Sequence, residues 1–262
     1  MMNKTKLLLL GGTGEAKQMA TQLHQQGVAV IYSEAGRVRA PKLPCETRAG
    51  GFRAVGGFHR YLTETPISAV LDMTHPYAMR ISEQAWSVCK NADVTYWRYQ
   101  RPAWQPAAED EWITFTDRAE LPDQLAGEIS VLLTIGQLEQ SLIDALAKAC
   151  DQVVIRTAVP LDAQLPDNVY WEQAIGPFSE QDEHDLFAKY GVSALVSKNS
   201  GGNATAPKLD VARKLGVSVF LEARPDMSHL NDMPLLSDLN QCRDAVITFF
   251  NTPNEPGKRP RR

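Results

Sequence analysis

The chain has 262 residues, 44% of them hydrophobic and 22% charged, with a formal net charge of −4. That size suits one large domain or two of ~130 residues each. The slight acidity excludes a general nucleic-acid binder, so an anionic ligand has to be met by local arginines.

Four cysteines, Cys45, Cys89, Cys150 and Cys242, lie far apart without metal-ligand spacing. They read as reduced thiols of a cytoplasmic protein with no bound metal. No run of about 18 apolar residues occurs, which argues against a membrane span.

The first predicted element is a strand at Lys6–Leu10. Its apolar run covers only Leu7–Leu10 before two glycines, too short for the core of a signal peptide. A helix is predicted at Glu15–Gln25, then strands at Val28–Tyr32 and Ala69–Met73, a helix at Met79–Asn91 and a strand at Val94–Arg98. Strands follow at Val131–Thr134, Gln152–Arg156, Ala194–Ser197 and Val217–Glu222, interleaved with helices at Gln137–Ala149, Ser179–Tyr190 and Ala204–Leu215. Short continuous strands alternating with helices point to βαβ units, hence an α/β fold whose parallel sheets are covered on both faces. Gly27, Gly191 and Gly216 follow helical runs, as helix-ending glycines do, and Ser179 precedes acids as an N-cap would. "RPAWQPAAEDEW", Arg101–Trp112, is the best linker. It divides the chain into residues 1–105 and 106–250, and the Pro-rich basic stretch 251–262 reads as a disordered tail.

"LLLLGGTGEAKQ" carries the first functional signal. A strand that feeds a glycine-rich turn and then a helix gathers backbone N–H groups and a helix N-terminus around one point, which attracts phosphate. Gly11 and Gly12 permit a tight turn and a close approach, Thr13, Gly14 and Glu15 lead into the helix, and Ala16 lets helix and sheet pack closely. The match to G-x-G-x-x-G is imperfect: Gly12 and Gly14 fit, but Lys17 stands where the third glycine belongs. A plain strand-to-helix turn is the competing reading.

The next strand ends in "VIYSEAGRVRAPK". Glu34 stands where an NAD-selecting acid would, but Ser33, Arg37, Arg39 and Lys42 surround it. A hydroxyl with arginines suits a 2′-phosphate. One charge-assisted contact is worth ~1.5–3 kcal/mol, so a single arginine, Arg37 first, favours NADPH by roughly ten- to a hundredfold. A solvated basic loop is the alternative.

"GGTGEA" followed by "SEAGRVRAP" resembles the precorrin-6A and cobalt-precorrin-6A reductases of cobalamin biosynthesis. "RAGGFRAVGGF", "LDMTHPYA", "RYQRPAW", "LLTIGQ", "VIRTAVP", "GPFS" and "VSKNSGGNATAPKLDVARKLGVSVFLEARP" are similar to further family segments in the same order, over residues 6–225. Gln100 departs from the family's glutamate, and the glycine pattern around residues 52–57 is altered. The resemblance implies two Rossmann-like domains with parallel sheets flanking a cleft, with a strand exchanged between the sheets. Neither a nucleic acid nor a membrane is expected as partner, and a monomer is expected, with oligomerisation left open. The resemblance also implies NADPH-dependent hydride transfer across the C18–C19 double bond of an anionic tetrapyrrole, precorrin-6A or its cobalt complex, to give the 6B product.

On that reading Thr74 and His75, at the C-terminal end of a strand, face the cofactor, and His75 is a weak candidate for a proton relay. The competing role for His75 is to cap the next helix. Arg98 and Arg101 are expected to hold substrate carboxylates, with Trp104 covering the flat ring. Surface pairing of Arg101 with Glu109 or Asp110 is the alternative. Thr134 and Gly136 of "TIGQ", and Lys198, Asn199, Ser200 and Gly201 of "SKNSGG", are expected to face substrate, with structural turns as the alternative. No decisive catalytic residue is named, because the cofactor carries the chemistry.

Two other functions compete. A short-chain dehydrogenase would need a Tyr-x-x-x-Lys pair, and none of the seven tyrosines has a lysine four positions on. A non-catalytic NADP-sensing protein would bind NADPH alone.

Overall fold

The computed structural model describes residues 5–36 and 41–252. They form two compact units. The first holds the described residues up to Pro102 together with those from Pro225 onward, and the second is Ala103–Arg224.

The first unit begins with β1 (Lys6–Leu10), α1 (Gly14–Gln25), β2 (Val30–Glu34) and β3 (Glu46–Ala49). It continues with α2 (Phe58–Glu64), β4 (Ile67–Asp72), α3 (Met79–Ala92) and β5 (Thr95–Tyr99). The second unit contains β6 (Trp112–Phe115), the short α4 (Leu121–Gln124), β7 (Ser130–Thr134), α5 (Gln140–Ala149), β8 (Gln152–Thr157), β9 (Val169–Gln173), α6 (Glu180–Tyr190), β10 (Ala194–Lys198), α7 (Pro207–Leu215) and β11 (Ser218–Glu222). The chain then returns to the first unit with β12 (Leu235–Leu236) and α8 (Leu239–Asn251).

Each unit has one six-stranded sheet, ordered β12-β5-β4-β1-β2-β3 and β6-β11-β10-β7-β8-β9, and every pairing is parallel. The orders are the same once β6 and β12 are set aside. β6 follows β5 in the chain yet joins the second sheet beside β11, and β12 follows β11 yet joins the first beside β5. Each sheet thus takes its last strand from the far side of the connection, the exchange that the resemblance implied.

The inner strands are covered on both faces, which demands continuous apolar runs. In β1, Leu7, Leu8 and Leu9 are wholly buried; Leu7 and Leu9 pack with α1 and α8, and Leu8 with α2 and α3. Burial of each such leucine is worth ~1.5–3 kcal/mol. Helix ends follow local chemistry. Ser179 caps α6, with Asp182 returning the bond to the Ser179 N–H at 2.8 Å, and Gly191 ends that helix in the left-handed region.

Two expectations need correction. The second domain does not run from 106 to 250: β12 pairs with β5, and α8 lays Cys242 and Val246 into the first core. The apolar face of α8, whose Phe249 ring lies 5.6 Å from that of Trp97, is what draws the chain back. The linker also closes early, since Trp112 opens β6 and Asp110 is held by both Nε and Nη2 of Arg213 at 2.8 and 2.9 Å. Of the tail expected at 251–262, Asn251 instead closes α8 and Thr252 caps it, while 253–262 lie outside the described residues. All four cysteines are free thiols, and no described helix is long and apolar enough to cross a membrane.

Candidate functional site

The β1–α1 turn is built by close approach. A Cβ on Gly11 would fall 2.3 Å from the Tyr32 ring, so only glycine lets β2 pack here. Gly12 has φ +116, a conformation that side chains resist, and its N–H donates to the Tyr32 hydroxyl at 2.9 Å. Burial pushes the Tyr32 phenol far up, so it stays protonated and donates in turn to Glu34 Oε2 at 3.3 Å. Glu34, where an NAD-selecting acid was expected, is therefore engaged from below by a tyrosine.

Thr13 caps α1: its Oγ1 accepts from the Ala16 N–H at 3.2 Å and donates to Met73 O at 3.2 Å, which ties the turn to the end of β4. Ala16 is wholly buried, as close helix–sheet packing requires. Glu15 lies in the first helical turn, where its charge would repel an anion. Arg101 Nη1 binds Glu15 Oε1 at 2.7 Å and neutralises it. Arg101 thus sits beside the glycine turn rather than pairing with Glu109 or Asp110. With Thr13, Met73, Thr74, Pro76 and Tyr99 it lines a small recess.

Beside the turn, a cleft of about 870 Å³ opens at the C-terminal ends of β1, β2 and β4, walled among others by Gly11, Ser33, Phe52, Thr74 and Tyr77. Ser33 Oγ accepts from Arg48 Nη1 at 2.8 Å. Arg48 stands opposite Ser33 in the β2–β3 ladder, with its guanidinium 4.1 Å from the Phe52 ring centroid and 5.0 Å from that of Tyr61. Desolvation lowers the Arg48 pKa, a sign of a cation without a carboxylate. Arg53 and Arg80 are exposed on the cleft wall. Arg37 and Arg39 lie outside the described residues. Arg48 was missed because "ETRA" carries no apolar run; its register opposite Ser33 emerges only from the sheet.

Thr74 and His75 follow β4 as expected, and Asp72 organises them. Its wholly buried carboxylate accepts from the Thr74 N–H at 2.9 Å and the Thr74 hydroxyl at 2.7 Å, and from the Tyr96 hydroxyl at 2.8 Å and Arg98 Nη1 at 2.7 Å. Arg98 Nη1 also donates to the Ser82 hydroxyl on α3. Arg98, expected to hold a substrate carboxylate, has a side chain that is 0% exposed. It is corrected to an internal partner of Asp72, because Arg98 and Asp72 meet in the β4–β5 ladder and the charge of each offsets the desolvation of the other. His75 Nδ1 accepts from the Tyr77 N–H at 3.3 Å and His75 O from the Ala78 N–H at 2.8 Å, so His75 shapes the turn before α3.

In the second unit the remaining candidates gather at the ends of β7 and β10. Thr134 Oγ1 donates to Val196 O at 3.1 Å and accepts from Lys208 Nζ at 3.2 Å. Gly136 has φ +88, and a Cβ there would lie 3.8 Å from Lys198 Nζ. Burial lowers the Lys198 pKa, and Arg118 lowers it further while Glu222 acts against them. Asn199 holds the Trp104 backbone in both directions, at 2.8 and 3.2 Å. Ser200 is buried, its carbonyl accepts from Arg224 at 3.2 Å, and Gly201 follows with φ +73. Asn199 and Ser200 therefore secure the loop, and the Lys198 amine lies beside Gly136. Sequence reasoning also missed Lys208, an amphipathic-helix position like any other until α7 packs.

Comparisons place this geometry among known proteins. A family model described as "Precorrin-6x reductase CbiJ/CobK" matches residues 6–245. A precorrin-6A reductase of Rhodococcus erythropolis is 37% identical over 85% of this chain and 90% of that protein. A cobalt-precorrin-6A reductase of Methanothermobacter thermautotrophicus is 23% identical over 97% and 87%. A solved structure titled CobK precorrin-6A reductase superposes with a TM-score of 0.82 at 33% identity, covering 94% of this chain and 97% of that one.

Proposed function

Since the chain belongs to the CbiJ/CobK precorrin-6x reductase family, we propose that it reduces the C18–C19 double bond of precorrin-6A with NADPH, a step of cobalamin biosynthesis in the cytoplasm. The observation that carries the cofactor assignment is the β1–α1 turn opening beside a cleft of about 870 Å³. The residues present fit a phosphorylated dinucleotide. Gly11 and Gly12 let a ligand approach the backbone, and the N-terminus of α1 suits a pyrophosphate. Ser33, backed by Arg48, suits the 2′-phosphate, with Arg37 and Arg39 close in sequence. Glu34, held by Tyr32, is less disposed to accept a ribose 2′-hydroxyl.

When bound, NADPH supplies the hydride. The chain's own residues bind and orient. Arg101 removes the charge of Glu15 from the pyrophosphate position, and Asp72 sets Thr74 at the cleft wall. His75 accepts at Nδ1 from the Tyr77 N–H, so its neutral ring carries the proton on Nε2, the nitrogen suited to relay one. Lys198, beside Gly136, suits a carboxylate of the macrocycle. The metal-free substrate is the better candidate. Relatives named for precorrin-6A, such as those of Rhodococcus and Mycobacterium, are 37–38% identical, while those named for the cobalt form are 23–27% identical.

Anaerobic incubation with NADPH and precorrin-6A, metal-free and cobalt-loaded, tests the reading by absorbance. The expected result is loss of the nicotinamide band together with a changed macrocycle spectrum, faster with the metal-free form. Stable spectra with both forms would overturn it.

A further inference from the structure

Tyr32 stands in the middle of β2 and is wholly buried, with its ring where a side chain at residue 11 would have to go. Two polar groups meet at its hydroxyl. The Gly12 N–H donates to it at 2.9 Å, and it donates to Glu34 Oε2 at 3.3 Å. Burial keeps the phenol protonated; the Gly12 bond works against this, and the Glu34 charge works with it. The backbone donor therefore points into the phenol oxygen, and the phenol proton is left for Glu34. Side chains alternate along a strand, so residues 32 and 34 share one face of β2 and residue 33 takes the other. Ser33 and Ala35 wall the cleft of about 870 Å³, and Glu34, between them in the chain, does not. That matters because a carboxylate at the end of a second strand accepts from a ribose 2′-hydroxyl, whereas it repels a 2′-phosphate.

We propose that Tyr32 is the positioning residue that sets the choice of nucleotide: its hydroxyl holds the Glu34 carboxylate off the cleft, so an acid placed where NAD is selected leaves room for a 2′-phosphate. This rests on the reading above that a nicotinamide dinucleotide lies along the β1–α1 turn. Ser33, with Arg48 bonded to it at 2.8 Å, then meets the phosphate from one face of β2, while Tyr32 retains the acid on the other. The same hydroxyl ties down the Gly12 N–H, so one buried group fixes both the acid and the glycine turn. Tyr32 itself touches no part of the nucleotide and acts only through Glu34.

The test titrates the full chain with NADPH and with NADH, read by nicotinamide fluorescence, and follows hydrogen exchange at the Gly12 amide. Tyr32→Phe keeps the ring against Gly11 and removes the hydroxyl. It is expected to tighten NADH roughly tenfold, the gain of one charge-assisted bond, and to weaken NADPH several-fold by repulsion. The preference for NADPH thus falls by roughly tenfold or more, and the Gly12 amide exchanges faster. Glu34→Asp, which draws the carboxylate back from the hydroxyl and leaves Tyr32 in place, is expected to lower the preference in the same direction. Tyr32→Phe made on a Glu34→Gln background is expected to keep the preference within about twofold of Glu34→Gln alone, because no carboxylate is then released. A preference that Tyr32→Phe leaves unchanged, or lowers equally with and without the Glu34 carboxylate, would overturn the proposal while the cofactor reading stands. An unmodified chain that binds neither nucleotide would overturn the cofactor reading and the proposal with it.

Discussion

The two sheets have the same strand order and opposite chemistry at their C-terminal ends. In the first, three residues (11–13) separate β1 from α1; in the second, five residues (135–139) separate β7 from α5. The last ladder pairs also differ. Asp72 faces Arg98 in the first sheet, both wholly buried and mutually neutral, while Lys198 faces Glu222 in the second, where Arg118 also claims the glutamate. Lys208 adds a buried amine there, which burial holds at about 7. One topology thus yields a sheet end closed by a buried ion pair beside a glycine turn, and another lined by Lys198, Lys208 and Arg118. The scaffold places loops, and the residues at strand ends decide what they bind.

The largest expected effect breaks the first sheet's closed pair. Arg98→Met strands the Asp72 carboxylate and should lower the unfolding free energy by about 3–5 kcal/mol in urea, against about 1 kcal/mol for Arg118→Met at its part-exposed pair. Equal losses would erase the contrast.

Lys208→Met should do the opposite and stabilise the second unit. Lys208 sits at about 7 when folded and 10.5 in the reference state, so folding expels a proton between those values. The penalty is full below pH 7 and fades towards pH 10.5, by roughly 1.4 kcal/mol per pH unit. The Tm advantage of the variant should shrink from pH 7 to pH 10, and a constant advantage would assign the gain to packing alone.

Gly12→Ala should weaken NADPH binding roughly ten- to a hundredfold by strain at φ +116, while Gly136→Ala in the matching loop leaves it within about twofold, as read by nicotinamide fluorescence. The finest effect separates cofactors. Arg48→Met should cost NADPH about tenfold in affinity and NADH almost nothing, and Arg37→Ala should act in the same direction. Equal losses for both nucleotides would remove these arginines from the 2′-phosphate.

Legibility followed burial. The eight predicted strands are all present, because inner parallel strands need apolar residues on both faces. The four missed ones, β3, β6, β9 and β12, are the outermost strands of the two sheets, where one edge lacks a partner. "ETRA" is half exposed and "LL" is only two residues long, so neither leaves a periodic mark. The helix at Phe58–Glu64 hid behind glycines, and α8 behind a stretch where no strand announced it. Among the proposed site residues, the glycine turn, Thr74 and His75 stand just after a strand, where the sequence put them, and Ser33 stands within the end of β2. Arg98 was misread because alternation along β5 says only that it shares a face with Tyr96, and not whether that face meets solvent or α3.

Local order in the chain determined the βαβ rhythm, the turn at Gly11–Gly14 and the cap at Ser179, since each depends on neighbours within a few residues. Tertiary structure alone decided that β6 and β12 cross to the other sheet, that Arg98 turns inward to Asp72, that Arg48 stands behind Ser33 and that Lys208 loses its water. Those outcomes depend on partners tens of residues away, and a charge is defined as paired, exposed or stranded only when such partners meet.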